Sequence, residues 1–428
     1  MVAVVQLPSS SPFDADMSRQ SSSLELRSSF HNLSCRMSSR LLSAMSHAPP
    51  SESGPQGTVR PLTVVNDPAA WKACDWAGRE HEAVVQLDGA DVAQLKEAVA
   101  AFMASGRPLS ALKRPADFPL SGGLADKLAG ARRDLLRGRG FALLRGVPVG
   151  EWSEAESVAG YMGLGVHVGR PQPQSKDGKL INHVKMHYAP AGAPASTLPQ
   201  REHAHNLEFG VHTDAQADVL GLLCINQAKE GGVSSFSSTL AVHNELLRRG
   251  RKDIVRCLAS GGWYRDRSRY QDVRPGDSPV WEMPVFSYHK GYLTTHYNSS
   301  HYQLCARRYP EQAGPLSALQ LEALALFEEI GSHPDFAISY RLQPGDIILL
   351  HNSSALHARS AFKDGDAPHE RRHLVRLWLS CDDDRPQPAH LDFPRSHTEG
   401  YDRDAYQGLM KPAPSQFHVP LSQEADDL

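Results

Sequence analysis

The apolar positions of this chain change their period several times, and the changes mark out its elements. Over residues 91–105, Leu95, Ala98, Val99 and Phe102 recur at helical spacing, and 124–137 read as a second helix that Gly138 and Gly140 end. Residues 141–146 predict a short buried strand, 151–162 a helix and 180–185 another strand. Residues 187–208 lose all periodicity, with Pro190, Gly192, Pro194 and Pro199 interrupting them, and so long a run predicts a lid. Strands follow at 219–225 and 234–238, then a helix at 239–249, a hairpin at 286–297 turning on His289-Lys290-Gly291, and a helix at 316–330. Four β segments arrive in close succession at 337–342, 346–350, 356–362 and 373–380. Strands this closely spaced, joined by Gly, Asp and Pro turns with the helices mostly outside, predict a mainly-β antiparallel sandwich or barrel rather than alternating β-α-β units.

A period of two also assigns faces. Arg372, Leu374, Arg376 and Trp378 share one face of the last strand, and His357 and Arg359 share a face of theirs, leaving Ala358 on the other. If these faces line the interior, the guanidinium groups are buried cations that need anions, and a carboxylate matches a guanidinium through two parallel hydrogen bonds.

Two imidazoles and one carboxylate are the ligand set that holds non-haem Fe(II) on one side and leaves positions open for oxygen and an organic cosubstrate. His212-Thr213-Asp214 offers two of the three, but it is one of five His-x-Asp/Glu triplets in the chain, and about two are expected by chance. His243 and Glu245 fall in a helical run, where residues two apart point to different faces. His333 sits in a Gly-Ser-His-Pro-Asp turn, and His390 and His397 lie in a tail with no strand-borne histidine behind them. Only His212 precedes a long β-rich run carrying a further histidine, His357, with arginines shortly after it.

Composition narrows the class without naming a chemistry. The net charge of -3 over 428 residues shows no polybasic signature for nucleic acid or membrane. No run of about eighteen apolar residues occurs. The six cysteines are scattered without a Cys-x-x-Cys pair, which points to reduced thiols and an intracellular compartment. Residues 1–60 form a Ser-rich segment with arginine and few acids, a composition shared by organellar transit peptides and plain disorder, and Met17, Met37 and Met45 offer alternative starts. Cytoplasm and an organelle such as mitochondrion or plastid both fit.

Several ordered motifs carry a resemblance: Gly140-Phe-Ala-Leu-Leu-Arg-Gly-Val-Pro148, Val211-His-Thr-Asp214, Gly231-Gly-Val-Ser-Ser-Phe236, Pro344-Gly-Asp-Ile347, Leu356-His-Ala-Arg-Ser-Ala-Phe362 and Arg371-Arg-His-Leu-Val-Arg-Leu-Trp-Leu379. Through them the chain resembles the TauD/TfdA family of Fe(II)- and 2-oxoglutarate-dependent dioxygenases from about Trp71 to about Pro412. The resemblance implies a double-stranded β-helix, the jelly roll of the clavaminate synthase-like enzymes, over a domain of residues 61–412 with a tail at 413–428. It implies His212, Asp214 and His357 as iron ligands, Arg372 as the partner of the distal carboxylate of 2-oxoglutarate, and O2 as second cosubstrate. Ser234 stands where relatives often place a threonine that also binds 2-oxoglutarate. Arg376 matches a position that supports the cosubstrate in some members and an anionic substrate in others, and Asn206 resembles a position near substrate. Arg359 is assigned a structural place. His351-Asn352 departs from the Asn-Asn or similar pair of relatives, and it adds a histidine that could be mistaken for a ligand.

The expected reaction is hydroxylation of a small molecule, or fragmentation after hydroxylation, with decarboxylation of 2-oxoglutarate to succinate. Asp214 favours this over halogenation, because related halogenases replace that carboxylate with a small residue. Two other readings compete. One is a protein hydroxylase or demethylase, although those enzymes commonly anchor 2-oxoglutarate with a lysine on a different strand. The other is a catalytically silent barrel serving as a binding module.

Overall fold

The computed structural model describes residues 59–175, 178–186, 206–214, 217–269, 276–387 and 419. The Ser-rich segment, the expected lid and the tail fall almost wholly outside the described residues, as do His390 and His397.

Two facing sheets make the barrel. The larger runs β1 (Val84–Gln86), β2 (Phe141–Arg145), β14 (Ile347–His351), β6 (Val219–Asn226), β17 (His373–Ser380) and β3 (Arg170–Gln172), with β4 (Ile181–Lys185) also on β17. The smaller runs β13 (Ala337–Tyr340), β8 (Ser234–Ser238), β15 (Ala355–Arg359) and β5 (Phe209–His212). Two-stranded ribbons add β7 (Glu230–Gly231) with β16 (Phe362–Lys363), β9 (Tyr264–Asp266) with β10 (Val280–Glu282), and β11 (Phe286–His289) with β12 (Tyr292–Thr295). Pairing within both sheets is antiparallel except for β1 on β2. Helices α1 (Gly89–Ala104) and α2 (Gly122–Arg137) lie between those two strands in sequence and make the crossover that a parallel pair needs. The fold is the expected double-stranded β-helix.

Each strand face meets a different layer. On β17, Val375, Leu377 and Leu379 pack outward against α1, α2 and α3 (Glu154–Gly165), whereas Leu374 and Trp378 join Phe141, Phe236 and Ile348 in the interior. Outside the smaller sheet, Val211 and Leu356 pack under α4 (Thr239–Arg248), α5 (Lys252–Ala259) and α7 (Ala318–Ser332). A short helix, α6 (Ser299–Arg308), follows β12. Because β14 is covered on both faces, all five of its residues are buried, and it reads as a continuous apolar run without alternation.

Departures from expectation have local causes. The helix expected at 151–162 begins at Glu154, since Ser153 caps it by accepting from the Glu156 amide while Glu156 reaches back to the Ser153 amide. The strand expected at 356–362 divides in two, with a register shift between His357 and Arg359 and a separate short β16. Cys224, Cys257, Cys305 and Cys381 are free buried thiols.

Leu377 is fully buried, and a Cβ on Gly165 of α3 would lie 2.5 Å from its Cδ2, so helix and sheet are in close contact there. Leu377→Ala removes that contact on the face turned away from the interior. It is expected to destabilise the protein by about 2–5 kcal/mol, seen as a lower urea midpoint at unchanged slope. An unchanged midpoint would mean that α3 does not depend on this contact.

Candidate metal centre and cosubstrate pocket

Backbone pairing brings the two histidines together before any side chain is considered. His212 ends β5 and lies opposite His357 of β15 in register, so the rings stand 4.0 Å apart between centroids. Asp214, two residues on, places Oδ1 4.0 Å from His212 Nε2 and 3.9 Å from His357 Nε2. The three donor atoms lie within 4.8 Å of one another, and they could hold one metal ion. Of the other triplets, His243 bonds Tyr288 while Glu245 pairs with Arg248 and Arg249, as divergent helix faces require. His333 and Asp335 lie at the end of α7, partly exposed.

The surrounding groups hold these donors in usable states. His212 Nδ1 is 2.8 Å from the Gly210 carbonyl, which calls for a proton on that nitrogen and leaves the Nε2 lone pair facing Asp214. Phe209 stacks on the same ring at 3.8 Å. Burial lowers the pKa of His357, against the opposing pull of Asp214, so its ring favours the neutral form that metals bind.

Asp214 is gripped from several elements. Its amide donates to Asn352 Oδ1 at 2.9 Å, and Asn352 Nδ2 donates back to the Asp214 carbonyl at 2.8 Å. Thr213 and Tyr297 exchange bonds of 2.7 and 2.9 Å that pin the triplet to the chain after β12. Trp378 Nε1 donates to Asp214 Oδ2 at 2.6 Å, and Arg376 Nη1 lies 3.3 Å from the same oxygen. Burial pushes the Asp214 pKa up, but the charge of Arg376, the two histidines and the Trp378 bond outweigh it and hold the carboxyl well below its ordinary range.

Beside the triad lies a small cavity, lined by His212 and His357, by Ser234, Arg359, Arg372 and Arg376, and by apolar Leu222, Phe236, Ile348 and Leu374. Arg372, just before β17, and Leu374 and Arg376 on it line the cavity as the period of two predicts, whereas on β15, with its register shift, Ala358 lines it together with His357 and Arg359. Burial first, and then the charge of Arg359, push the Arg372 pKa down to about 9, and among the described residues its Nη1 has no hydrogen-bond partner. Such a buried guanidinium suits an organic anion. The turn before β8 makes room for it. A Cβ on Gly232, at φ +67°, would lie 2.9 Å from Arg372 Cδ, and one on Gly231, at φ +69°, would lie 2.2 Å from the Ala361 carbonyl oxygen.

Three further residues make contacts of their own. Arg376 spends its Nε on Gln174 Oε1 at 2.7 Å and turns its other end to Asp214. Asn206 is joined to the barrel by its backbone, its carbonyl accepting from the Phe362 amide at 3.0 Å. His351 is fully buried, with Nδ1 2.7 Å from Ser354 Oγ and Nε2 3.0 Å from Asp384, so both nitrogens are committed away from the triad. Sequence reasoning missed Gln174, Tyr297 and the clamp by Asn352. Trp378 was within reach, since it shares the face of Arg372 and Arg376.

The comparisons with known proteins agree with this geometry. A model of the taurine catabolism dioxygenase TauD, TfdA family matches residues 105–378. The chain is 31% identical to FR-33289 synthase of Streptomyces rubellomurinus over 261 residues, which is 60% of this chain and 74% of that one. It is 29% identical to a taurine hydroxylase-like protein of Stachybotrys chartarum over 326 residues, 75% of this chain and 80% of that one. Among solved structures it is similar in fold to an asparagine oxygenase in complex with Fe(II), 3-hydroxyasparagine and succinate, with a TM-score of 0.51 at 20% identity over 69% of this chain and 93% of that one. Among the described residues no helix is long and apolar enough to cross a membrane. With a family match running from the end of α1 into β17 across a jelly roll that gathers two histidines and an aspartate, the chain belongs to the TauD/TfdA family and is a dioxygenase of the Fe(II)- and 2-oxoglutarate-dependent kind.

Proposed function

We propose that this protein hydroxylates a small molecule, coupling the oxidation to decarboxylation of 2-oxoglutarate to succinate and CO2. The observation that carries the reading is the sharing of one cavity by the His212, Asp214 and His357 donors and the buried, anion-seeking Arg372. In this reading the triad holds Fe(II), and Arg372 with Ser234 takes the distal carboxylate. When bound, the metal and cosubstrate supply the oxidising chemistry, in which one atom of O2 ends in succinate and the other in the product hydroxyl.

The residues of the chain do the rest. His357 favours a neutral imidazole, His212 is held by its Nδ1 at the Gly210 carbonyl, and Asp214 stays ionised because Arg376 and Trp378 stabilise its charge. In this reading Arg376 supports a metal ligand from the cavity wall, beside the cosubstrate or substrate role that its place in the motif implies. Apolar Phe236, Ile348 and Leu374 make up much of the remaining wall, so charge interactions in the pocket act beside a surface of low polarity. The names of relatives, among them a taurine hydroxylase-like protein and a uridine-5'-phosphate dioxygenase of Amycolatopsis, favour small polar metabolites as the substrate class.

Succinate release from 2-oxoglutarate should require Fe(II) and vanish in His212→Ala. A folded, iron-loaded protein that fails to bind 2-oxoglutarate would sink the reading. Trp378→Phe keeps an aromatic side chain, smaller than the indole, and removes the N–H that donates to Asp214 Oδ2. It is expected to weaken Fe(II) binding by about 10–100-fold, as loss of a partner to a ligand commonly does, with an unchanged circular dichroism spectrum. Equal Fe(II) affinity in a metal titration of both proteins would remove Trp378 from the support of the site.

A further inference from the structure

A second group of metal-binding side chains lies on the outer face of the larger sheet. His183 of β4 pairs in register with Val375 of β17, so the two share a face, and Val375 belongs to the apolar layer that the helices cover. His373 precedes Val375 by two residues and takes the same face. Leu374 and Val184, which alternate with them, line the cavity instead. Glu154 completes the group from the first turn of α3. The sheet itself separates these three residues from the His212, Asp214 and His357 centre.

Their donor atoms are close together. His183 Nδ1 is 2.7 Å from His373 Nε2 and 3.8 Å from Glu154 Oε1, and one donor atom from each residue lies within 4.8 Å of the others. Both imidazoles are buried, with ring centroids 5.0 Å apart and planes tilted by 40°. The Glu154 side chain is 41% exposed, which leaves a way in from solvent on its side. Burial first, and then the charges of Lys185, His183 and Arg372, push the His373 pKa down to about 3, so this ring is neutral and keeps a lone pair.

In the 2.7 Å contact one facing nitrogen holds the proton that the other accepts. A metal ion takes the place of that proton, which moves to the far nitrogen of its own ring. Tetrahedral zinc, with bonds of about 2.0–2.1 Å, sets two nitrogens about 3.3 Å apart, so the rings need to part by about half an ångström. Lys185 and Arg372, whose charges disfavour a proton on His373, also oppose a dication. The Glu154 carboxylate supplies the compensating charge.

We infer that Glu154, His183 and His373 form a second metal site, suited to a divalent ion of the zinc class, that staples β4 and the start of β17 to the first turn of α3. Two imidazoles and a carboxylate suit zinc, and such a set holds it more tightly than Fe(II). Among the described strands of the larger sheet, β4 pairs with β17 alone. A tie from its outer face to α3 steadies a strand whose Val184 lines the cavity.

The test is calorimetric titration with Zn2+ of tag-free His212→Ala protein, in which the barrel centre has lost a ligand. One equivalent of Zn2+ is expected to bind and to raise the Tm, because the ion binds the folded chain. Adding His373→Gln should abolish both effects. Adding Glu154→Gln, which keeps the size of a partly exposed side chain, should raise the Kd by at least the roughly tenfold that loss of a partner to a ligand costs. That variant decides the matter if the His373 variant fails to fold. No uptake of Zn2+ by the His212→Ala protein, or uptake that either added substitution leaves unchanged, overturns the inference.

Discussion

A carboxylate that must stay charged inside a protein needs compensation, and much of this structure is arranged around that need at Asp214. The group is almost fully buried, yet it faces Trp378 and Arg376 of β17, while Asn352 at the end of β14 holds its backbone. Removing one such partner from a buried charge is far costlier than the pair is worth in itself, because the remaining charge has no water to turn to. The position of Asp214 thus depends on strands distant in sequence from its own triplet.

The strand β17 shows how one alternation serves two purposes. Odd-numbered positions Val375, Leu377 and Leu379 belong to the helix-covered core, and even-numbered Arg372, Leu374 and Arg376 to the cavity. A one-residue slip would exchange these faces, putting guanidinium groups into the apolar layer under α3. The strand is paired on both sides, with β6 and with β4, and this fixes its register.

Much of this was readable beforehand, for reasons that lie in periodicity. The strand at 234–238, the final strand and the facing of Arg372 and Arg376 all follow from a period of two, which the chain displays directly. What stayed hidden involves contacts between residues far apart along the chain. Gln174 meets Arg376 across 202 positions and Asn352 meets Asp214 across 138, and no local pattern announces either. His351 illustrates the same limit: its partner Asp384 lies past the end of β17 as the last of three consecutive aspartates, and nothing local singles it out. The short helices α5 and α6 do not figure among the expected elements, although Ile254, Val255 and Leu258 give α5 a buried apolar face.

The clamp at Asn352 has a thermodynamic side. His212 and His357 belong to the smaller sheet, while Asp214 is positioned by residues of the larger one, so the three donors come together only when the two sheets are in their native alignment. An ion held by all three would bind the folded chain and not the unfolded one. Metal supply then adds directly to the free energy of unfolding, by about 2.7 kcal/mol at one hundred times the dissociation constant. In this fold, loading of the centre and survival of the sandwich are two readings of a single equilibrium.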